Sequence, residues 1–281
     1  MTIEVLISAM NQTDIGIAER TKCKTNTLII NQTDINDYCE GEINGYTVRM
    51  ISTKERGLSR SRNMAVLNSE ADICLLCDDD EILIDNYPEI ITSAFNEFPE
   101  ADIISFDWML SNKIDEKRKY RKLFKYGKKN KAGKAPRFKV YSSVSLAFRR
   151  KRVIEKNVLF DERFGSGSGI ISAGEESVWQ NKAKRKGLKV YYYPELIAEI
   201  TSEDSKWFKG YDEHFYYDLG ACLSVNRPYL KHVFKYYYLI NVRGTGMSRK
   251  QQLKWLNAGI NGFGRNGYSY QNYIDSQMNY M

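Results

Sequence analysis

The sequence predicts an α/β protein with a mostly parallel central sheet flanked by helices, followed by a C-terminal aromatic helical extension. Two patterns predict it. Short apolar runs alternate with helix-like runs through the first hundred residues, and many of the 20 tyrosines lie in the last third of the chain. At 281 residues the chain is long enough for one large α/β domain, or for one domain with an appendage.

The first 110 residues carry the alternation most clearly. The predicted strands are short and mostly apolar, at residues 4–10, 27–33, 47–53, 72–79 and 101–110. Helix-like runs precede the last two strands, at residues 59–70 and 87–99. This interleaving favours a parallel sheet covered on both faces, and such sheets bind ligands outside the carboxyl ends of their strands.

Beyond residue 110 the pattern changes. Residues 111–140 have little periodicity, which predicts an excursion that a ligand or partner orders. From about residue 207 the chain is predicted to be helical and aromatic. The elements predicted between these regions are a strand with a short helix at 141–154, a helix at 174–187, and a strand pair or extended arm at 188–200.

Charge is distributed unevenly along the chain. Residues 113–152 contain 17 Lys and Arg against only Asp115 and Glu116, so this segment has a net charge of +15 within a chain of net charge +7. A basic segment on an otherwise acidic protein favours an anionic partner such as a phosphate, a lipid headgroup or nucleic acid. A solvated Lys-rich excursion without a partner is the alternative.

The cysteines and the apolar runs bear on localisation. Five cysteines are an odd number without a paired framework, which predicts a reducing cytoplasm. No run approaches the roughly 20 apolar residues that a spanning helix needs. The N-terminus MTIEVLISAMNQ does not resemble a signal peptide, so we expect a cytoplasmic protein that is soluble or peripheral to the inner face of the cell membrane.

Four acids follow a predicted strand in the stretch ICLLCDDDEIL, residues 73–83. Strand alternation would point Asp78 and Asp80 the same way, while Asp79 diverges. Carboxylate oxygens suit Mg²⁺ or Mn²⁺, and a cation would relieve the repulsion among the acids. A solvated acidic turn is the alternative. We expect Glu81 to face solvent or to pair with a neighbouring basic residue.

Three motifs in order make a family resemblance specific. Gly57, Ser61, Arg62 and Asn63 open a predicted helix, the Asp78–Asp80 triplet follows, and about a hundred residues on Gly174-Glu175-Glu176 opens another helix. The stretch FDERFG, at 160–165, precedes the last motif. Over roughly residues 3–200 this order resembles glycosyltransferase family 2, with its DxD triplet and GT-A fold.

The resemblance implies an activity. A glycosyltransferase of this kind moves a sugar from a nucleotide-diphosphate sugar, here expected to be a UDP-sugar, to a hydroxyl of a glycan or lipid-linked glycan, with inversion. It implies Mn²⁺ or Mg²⁺ held by Asp80 and Asp78, and Glu176 as the base, with Glu175 beside it. Polysaccharide or glycolipid assembly, with peripheral contact to an anionic membrane, is the implied setting.

The resemblance also divides the chain and assigns further residues. A catalytic domain is implied over 1–205, with a nucleotide-binding half over 1–110 and an acceptor-side half over 141–205, followed by the extension 206–281. The residues assigned to the nucleotide or donor are Ser8, Asn11, Asn31, Gly57, Arg60, Arg62, Asn63, Asp78 and Asp79. The residues assigned to the acceptor are Trp108, Trp179 and Gly174, with Trp207 as a further candidate.

The chain departs from the family pattern at three places. Ser8-Ala9-Met10-Asn11 ends the first strand without the usual Pro and aromatic residue, and Asn31-Gln32-Thr33-Asp34 replaces Asp-Asp-Gly-Ser. Glu199–Ser202 stands where members often place a His, so a third protein ligand for the metal is not identified. His214, in an aromatic helical stretch, is predicted to be structural.

Two other functions compete with the transferase. A sugar-nucleotide pyrophosphorylase would share the sheet and the acidic site, but it needs a Gly-rich phosphate loop that NQTDIGIAER lacks. A non-catalytic nucleic-acid-binding protein using residues 113–152 would bind with steep salt dependence and ignore nucleotides and metal. We expect no nucleic-acid partner, and the sequence indicates no oligomeric state.

Overall fold

The computed structural model describes residues 1–110, 131–200, 210–241 and 246–278. Residues 113–130 of the basic segment and the candidate acceptor residue Trp207 lie outside this part of the chain. Within it, one mixed sheet carries all the named strands. The strands are β1 Ile3–Met10, β2 Asn26–Gln32, β3 Asp37–Ile43, β4 Tyr46–Thr53, β5 Ile73–Asp78, β6 Glu81–Leu83, β7 Ile103–Leu110, β8 Gly133–Lys134, β9 Leu146–Arg149 and β10 Val190–Ile200.

The sheet confirms the predicted α/β class. Its order is β3-β4-β2-β1-β5-β9-β7-β10-β6, with β8 paired to β10. The neighbours β4-β2-β1-β5 are parallel, as are β7 and β10, whereas β3, β6, β8 and β9 run antiparallel to their partners. The parallel strands β1, β2 and β5 are buried along almost their whole length, as expected for a sheet covered on both faces.

Three strands were not predicted, namely β3, β6 and the two-residue β8, and a fourth differs from its prediction. β3 reads DYCEGEI and none of its residues is buried, so its sequence lacks an apolar run. β6 has only three residues. Residues 190–200 form one strand instead of a pair or an arm, and register shifts between Tyr192 and Leu196 accommodate Pro194.

Helices precede or follow most of these strands. The described α-helices are α1 Ile17–Arg20, α2 Leu58–Asn68, α3 Tyr87–Glu97, α4 Arg150–Glu155, α5 Glu175–Arg185, α6 Glu213–Asn226, α7 Lys231–Asn241, α8 Arg249–Asn266 and α9 Tyr270–Met278. α2, α3 and α5 agree with the sequence prediction to within two residues at each end. Among the described residues, no helix has the length and apolar character needed to cross a membrane.

The chain divides into two compact units. Unit 1 comprises Met1–Arg56, Arg60–Leu159 and Ala183–Asp204, and it contains the whole described sheet. Its core is formed by inward residues of β1, β2 and β5 together with α3. The domain boundary expected near residue 205 remains a prediction.

Unit 2 is assembled from three separate parts of the chain. It comprises Gly57–Ser59, Phe160–Lys182 and Ser205–Met281. Its core combines Phe164, Ile171 and Val178 with residues of α6 and α8, among them Tyr217 and Leu256. The aromatic residues of the predicted extension therefore largely build the core of this unit.

Candidate functional site

In unit 1, polar residues gather where parallel strands end. The register pairs Ser8 of β1 with Asp78 of β5, and Asn31 of β2 with Ser52 of β4. Because these strands are parallel and adjacent, their carboxyl ends meet at one edge of the sheet. This edge is where an α/β sheet of this kind binds ligands.

Arg62 of α2 connects the helix to the acidic triplet. Its side chain is only 2% exposed, and its Nη2 lies 3.0 Å from Asp78 Oδ1 and 3.2 Å from Asp78 Oδ2. The same Nη2 lies 3.0 Å from Ser143 Oγ. A buried guanidinium is held in a carboxylate pair of this kind because burial without a partner would be costly. Asp78 is therefore fixed in place.

The predicted motif residues next to Arg62 also face the sheet. Ser61 Oγ donates to Ser8 Oγ at 2.8 Å, and both side chains are buried. Asn63 is buried as well. Arg60, in contrast, pairs with Glu55 at 3.0 Å in a largely exposed ion pair. Of the two arginines assigned to the donor, only Arg62 contacts the acidic triplet through a described ion pair.

Asp79 and Asp80 follow β5 in a turn. Asp79 is exposed, whereas Asp78 and Asp80 are half-buried. Burial raises the pKa of Asp80 above its ordinary value, and the negative charges of Asp78 and Asp79 raise it further. A carboxylate in this environment is stabilised by a nearby cation, which would offset both effects.

The expectation for Glu81 is wrong. Its side chain is 1% exposed, and within the described part of the chain neither carboxylate oxygen has a hydrogen-bond partner. β6, which begins at Glu81, pairs with β10 through Ile200. Burial raises the pKa of Glu81 well above its ordinary value, and the charge of Asp78 adds to this rise. Glu81 is therefore a buried acid next to the triplet.

The carboxylates of Asp78 and Asp80 are ligands of the type that a hard divalent cation binds, and the chain offers few of them. Asp78 and Asp80 offer carboxylate oxygens, the donors that Mg²⁺ and Mn²⁺ prefer, and a cation beside them would offset the burial and the negative charges that raise the pKa of Asp80. No cluster of three or more His, Cys, Asp or Glu that suits a metal occurs among residues 1–110, 131–200, 210–241 and 246–278. A metal here would leave coordination positions to a diphosphate and to water.

Asn31 fixes the loop after β1. Its Oδ1 accepts from the Gln12 backbone N–H at 2.9 Å, and its Nδ2 donates to Gln12 O at 2.9 Å and to Ser52 Oγ at 3.1 Å. Asn11, in the same loop, is exposed and has a left-handed φ of 53°. Both residues lie at the edge where they were expected, and their contact with a nucleotide remains a prediction.

Arg56 was missed by the sequence analysis. Its Nη1 donates to Thr33 O at 2.7 Å and its Nη2 lies 2.7 Å from Asp34 Oδ1. These contacts fix the loop that follows β2. The only sequence feature that could have indicated Arg56 was its position directly before Gly57. It was not included because the family motif begins at Gly57.

In unit 2, the predicted acidic pair opens α5. Glu175 is buried and Glu176 is half-buried, and both lie in the first turn of the helix, where backbone N–H groups stabilise negative charge. Gly174 precedes them with a φ of +88°. A Cβ at Gly174 would lie inside van der Waals contact of Cys222 Sγ, so this position requires glycine on two counts.

One face of α6 holds the segment that leads into this acidic pair. Asp218 Oδ2 accepts from the Ser172 backbone N–H at 2.8 Å and from Ser172 Oγ at 2.5 Å. Cys222 donates to Ala173 O at 3.6 Å. Two further bonds extend the series: Asn226 Nδ2 donates to Ser177 Oγ at 3.0 Å, and Ser177 Oγ donates to Gly174 O at 2.8 Å.

Asp218, Cys222 and Asn226 are spaced four residues apart, so they lie on one side of the helix. Burial raises the pKa of Asp218, and the hydrogen bonds from Ser172 oppose this rise. His214 Nε2 lies 3.5 Å from Asp218 Oδ1, and its ring stacks on Tyr270. These contacts support the structural role expected for His214. No sequence pattern had indicated a role for the three α6 residues.

Gly57 also lies in unit 2, at a close approach of two backbone segments. Its φ is +117°, and a Cβ there would lie 3.3 Å from Gly167 O. Nearby, Leu58 N donates to Ser166 O at 2.9 Å and Ser59 Oγ donates to Phe164 O at 2.6 Å. The contacts of Gly57 show a structural requirement, and its assignment to the donor remains a prediction.

The two described tryptophans assigned to the acceptor differ. Trp179 is fully buried and stacks on Phe160, with ring centroids 4.9 Å apart. Its assignment as an acceptor contact is therefore wrong, because an inaccessible side chain cannot stack on a sugar. Trp108 of β7 is half-buried and packs at the margin of the unit 1 core, so its assignment remains a prediction.

Comparisons with known proteins agree with this architecture. A model of a family described as "Glycosyl transferase family 2" matches residues 3–157. No curated protein matches the chain.

Among solved structures, S. aureus TarS 1–349 in complex with UDP-GlcNAc is 12% identical with a TM-score of 0.54, over 99% of this chain and 76% of that one. The same fragment in complex with UDP is 10% identical with a TM-score of 0.54, over 94% and 72% of the two chains. At these identities the similarity establishes the fold.

Proposed function

The chain belongs to glycosyl transferase family 2, and from this premise we propose that it moves a sugar from a nucleotide-diphosphate sugar to an acceptor hydroxyl with inversion. The family makes it a glycosyltransferase. A UDP-sugar is the proposed donor, supported by the fold that the chain shares with a protein solved with UDP-GlcNAc and with UDP. Family membership favours this activity over the pyrophosphorylase and the nucleic-acid-binding protein.

One observation carries the proposal, namely the arrangement of Arg62, Asp78 and Ser8 at the carboxyl edge of the sheet. Arg62 holds both oxygens of Asp78, and Ser8 is paired with Asp78 in the register and bonded to the motif residue Ser61. A carboxylate fixed in this way is ready to accept hydrogen bonds from a ribose without first losing rotational freedom. Asn31 shapes the adjoining loop, Asn11 lies in it, and both remain proposed donor contacts.

The divalent cation that we propose, Mn²⁺ or Mg²⁺, would be held by Asp80 and Asp78. When bound, it supplies positive charge that neutralises the diphosphate as it leaves. The chain contributes the repulsion among Asp78, Asp79 and Asp80 and the partial burial of Asp80, and a bound cation would offset both. Asp79, exposed between them, is proposed to contact the donor.

Glu176 is the proposed base. It would take the proton of the acceptor hydroxyl as the oxygen attacks the anomeric carbon, and the bond from that carbon to the diphosphate would break on the opposite side. Its half-buried position at the first turn of α5 gives it both access and a stabilising helix end. Glu175 is more buried and is proposed to support the same turn, with Gly174 providing the bend.

The proposed acceptor is a glycan or a lipid-linked glycan, with Trp108 as an acceptor contact. Such an acceptor would bring the protein to the inner face of a membrane, in polysaccharide or glycolipid assembly. The basic residues of 113–152 support an anionic partner on composition alone. Family membership supports a glycan acceptor in general, and the sugar and linkage are left to experiment.

A binding screen tests the donor and the metal together. Thermal unfolding would be followed with UDP, GDP and CDP, each with Mn²⁺, with Mg²⁺ and with EDTA, for the wild type and for Asp80→Ala. We expect UDP to raise the melting temperature only with metal, and Asp80→Ala to lose this response. Stabilisation by UDP that is equal in EDTA would contradict the metal assignment, and no response to any nucleotide would contradict the transferase.

A turnover survey then identifies the sugar. Release of nucleoside diphosphate would be measured across UDP-, GDP- and CDP-sugars, first with water and then with candidate glycans as acceptor. Exposed Glu89→Gln, on α3 away from the acidic triplet, is the matched control for loss of a carboxylate.

A further inference from the structure

An exposed apolar stripe runs along helix α7 in unit 2. Phe234, Tyr238 and Leu239 face the core of the unit, with Leu239 buried and the two rings packed against it. The other side is open to solvent, although it is apolar. Its residues, at spacings of three and four, are Val233, Tyr236, Tyr237 and Ile240, and Tyr229 and Leu230 continue the stripe ahead of the helix.

The exposure of these side chains is large. Tyr229 is 96% exposed, Val233 65% and Ile240 64%. Single exposed apolar residues are common on protein surfaces and need no explanation, but a contiguous stripe on one helix face marks an interaction surface. Exposed β-branched side chains such as Val233 and Ile240 gain no free energy in water, whereas a partner that covers their apolar surface stabilises them in the bound state.

The charges of the segment that carries the stripe indicate what covers it. Residues 219–274, which include α7 and α8, contain eight Lys and Arg and no Asp or Glu, although the whole chain has 35 acids. Arg249, Lys250 and Lys254 of α8 are exposed. A second copy of the same segment would bring like charges together, which opposes self-association through this surface.

We propose that the α7 stripe, together with the exposed basic side chains of α8, binds an anionic lipid bilayer. The aliphatic and tyrosyl side chains would enter the boundary between headgroups and acyl chains, and the Lys and Arg side chains would meet the lipid phosphates. An amphipathic helix with basic residues nearby binds membranes in this way, and each nearby basic residue strengthens binding to a negatively charged surface. Tyrosine suits the interface because its ring is apolar and its hydroxyl remains in water.

The inference deepens the membrane contact proposed above, and its test has no catalytic readout, so its failure and that of the transferase are distinguishable. The full chain would be sedimented with vesicles of phosphatidylcholine alone and with vesicles that also contain phosphatidylglycerol. We expect binding to the anionic vesicles only, weakened by raised salt because the headgroup contacts are screened. Absence of binding to anionic vesicles would overturn the proposal.

Two sets of variants separate the stripe from the charges. Val233→Ser with Ile240→Ser should weaken binding to anionic vesicles by tenfold or more, and Arg249→Gln with Lys250→Gln and Lys254→Gln should weaken it comparably. Leu67→Ser, which removes from α2 an apolar side chain that is also more than half exposed, is the control and should bind like the wild type. Unchanged melting temperatures would show that all the variants fold.

Two results would point to other partners. If the V233S/I240S variant binds vesicles as tightly as the wild type, the stripe is not the membrane surface. If the wild type is dimeric by analytical ultracentrifugation and this variant is monomeric, without vesicle binding by either, the stripe is an interface between copies. The Asp80→Ala variant should bind vesicles normally, which separates this surface from the donor site.

Discussion

Arg62 Nη2 lies within 3.2 Å of both carboxylate oxygens of Asp78, and the arginine is almost completely buried. A single nitrogen that serves both oxygens fixes the carboxylate group but leaves lone pairs on each oxygen for another donor or a metal. The pair therefore supports the fold and prepares a binding group at the same time. Its removal should affect stability and ligand binding together.

Arg62→Ala should be strongly destabilising. Removing one partner of a buried pair leaves the other uncompensated, and we expect a loss of about 2–4 kcal/mol in the free energy of unfolding, reduced from the fully buried case because Asp78 is partly exposed. Arg60→Ala breaks an exposed pair with Glu55 and should cost less than about 1 kcal/mol. Urea unfolding of both variants is the measurement, and equal losses would contradict the structural role of Arg62.

Glu81→Gln should remove a pH dependence of stability. Because the pKa of Glu81 is raised in the folded state, folded Glu81 keeps a proton that the unfolded chain releases. The free energy of unfolding should therefore fall as pH rises from the ordinary carboxyl range towards the raised pKa, by about 1.4 kcal/mol for each pH unit. Glutamine has no proton to lose, so the variant should gain stability over the wild type as pH rises.

Urea unfolding in EDTA at several pH values would measure this difference. Below the ordinary carboxyl range the two proteins should be similarly stable, because glutamine has nearly the shape of protonated glutamate. Glu89→Gln, at an exposed position of α3, is the control and should follow the wild type throughout. A pH slope in E81Q identical to that of the wild type would show that Glu81 is ionised in the folded state.

Gly174→Ala should cost more than Gly187→Ala, although both glycines have left-handed φ, +88° and +84°. A Cβ at Gly187 meets nothing within 4 Å, so its cost is the backbone term of about 1–2 kcal/mol. At Gly174 the clash with Cys222 Sγ adds to this term. The double variant Gly174→Ala, Cys222→Ala removes the sulfur and should recover part of the difference, as measured by thermal unfolding. If the double variant loses as much stability as the two single variants together, the strain does not come from the contact between a Cβ at position 174 and Cys222.

Asp218→Ala should lower kcat while leaving nucleotide binding unchanged. Loss of the two bonds to Ser172 frees the segment ahead of Glu175 and Glu176, and misplacement of a reacting group by about 1 Å can cost roughly a hundredfold in rate. Asp218→Asn keeps an acceptor oxygen for both donors and should restore most of kcat. Equal kcat in the Ala and Asn variants would assign Asp218 a role in folding alone.

Glu176→Gln should abolish transfer without affecting donor binding. General-base catalysis contributes about 10²–10⁴-fold, and we expect a loss of kcat in this range with an unchanged Kd for UDP. Glu175→Gln, its neighbour in the same turn, should lose less activity and more stability because Glu175 is the more buried of the two. If Glu175→Gln is the inactive variant, the two roles are exchanged.

The features predicted from the sequence are those that depend on short stretches of chain. The ends of β1 and β5 follow from where their apolar runs stop. Because the two strands are parallel neighbours, their ends bring Ser8 and Asp78 together in the register. Glu81 was misjudged because its acidic neighbours suggest solvent, whereas its burial comes from pairing with β10, more than a hundred residues away.

The contacts of Asp218 with Ser172 have the same origin. The sequence around Asp218, in an aromatic helix, does not indicate that its side chain will bind Ser172, which lies 46 residues earlier in the chain. The position of Arg62 on α2 was predicted, but its burial and its partner Ser143 were not, for they depend on how the chain returns after β7. Local sequence patterns therefore predict the helices and strands. Contacts between residues that are far apart in the chain become known only from the three-dimensional structure.

The assembly of unit 2 from three parts of the chain has a practical consequence for dissecting the protein. A cut near residue 205 would leave Phe164 on one fragment and Phe263, whose ring lies 5.1 Å away, on the other. Neither fragment would keep the apolar centre that the two rings share, so a single truncation would yield an aggregating piece instead of an autonomous domain. Limited proteolysis of the intact chain should accordingly give nicked protein whose fragments stay together until denaturant is added.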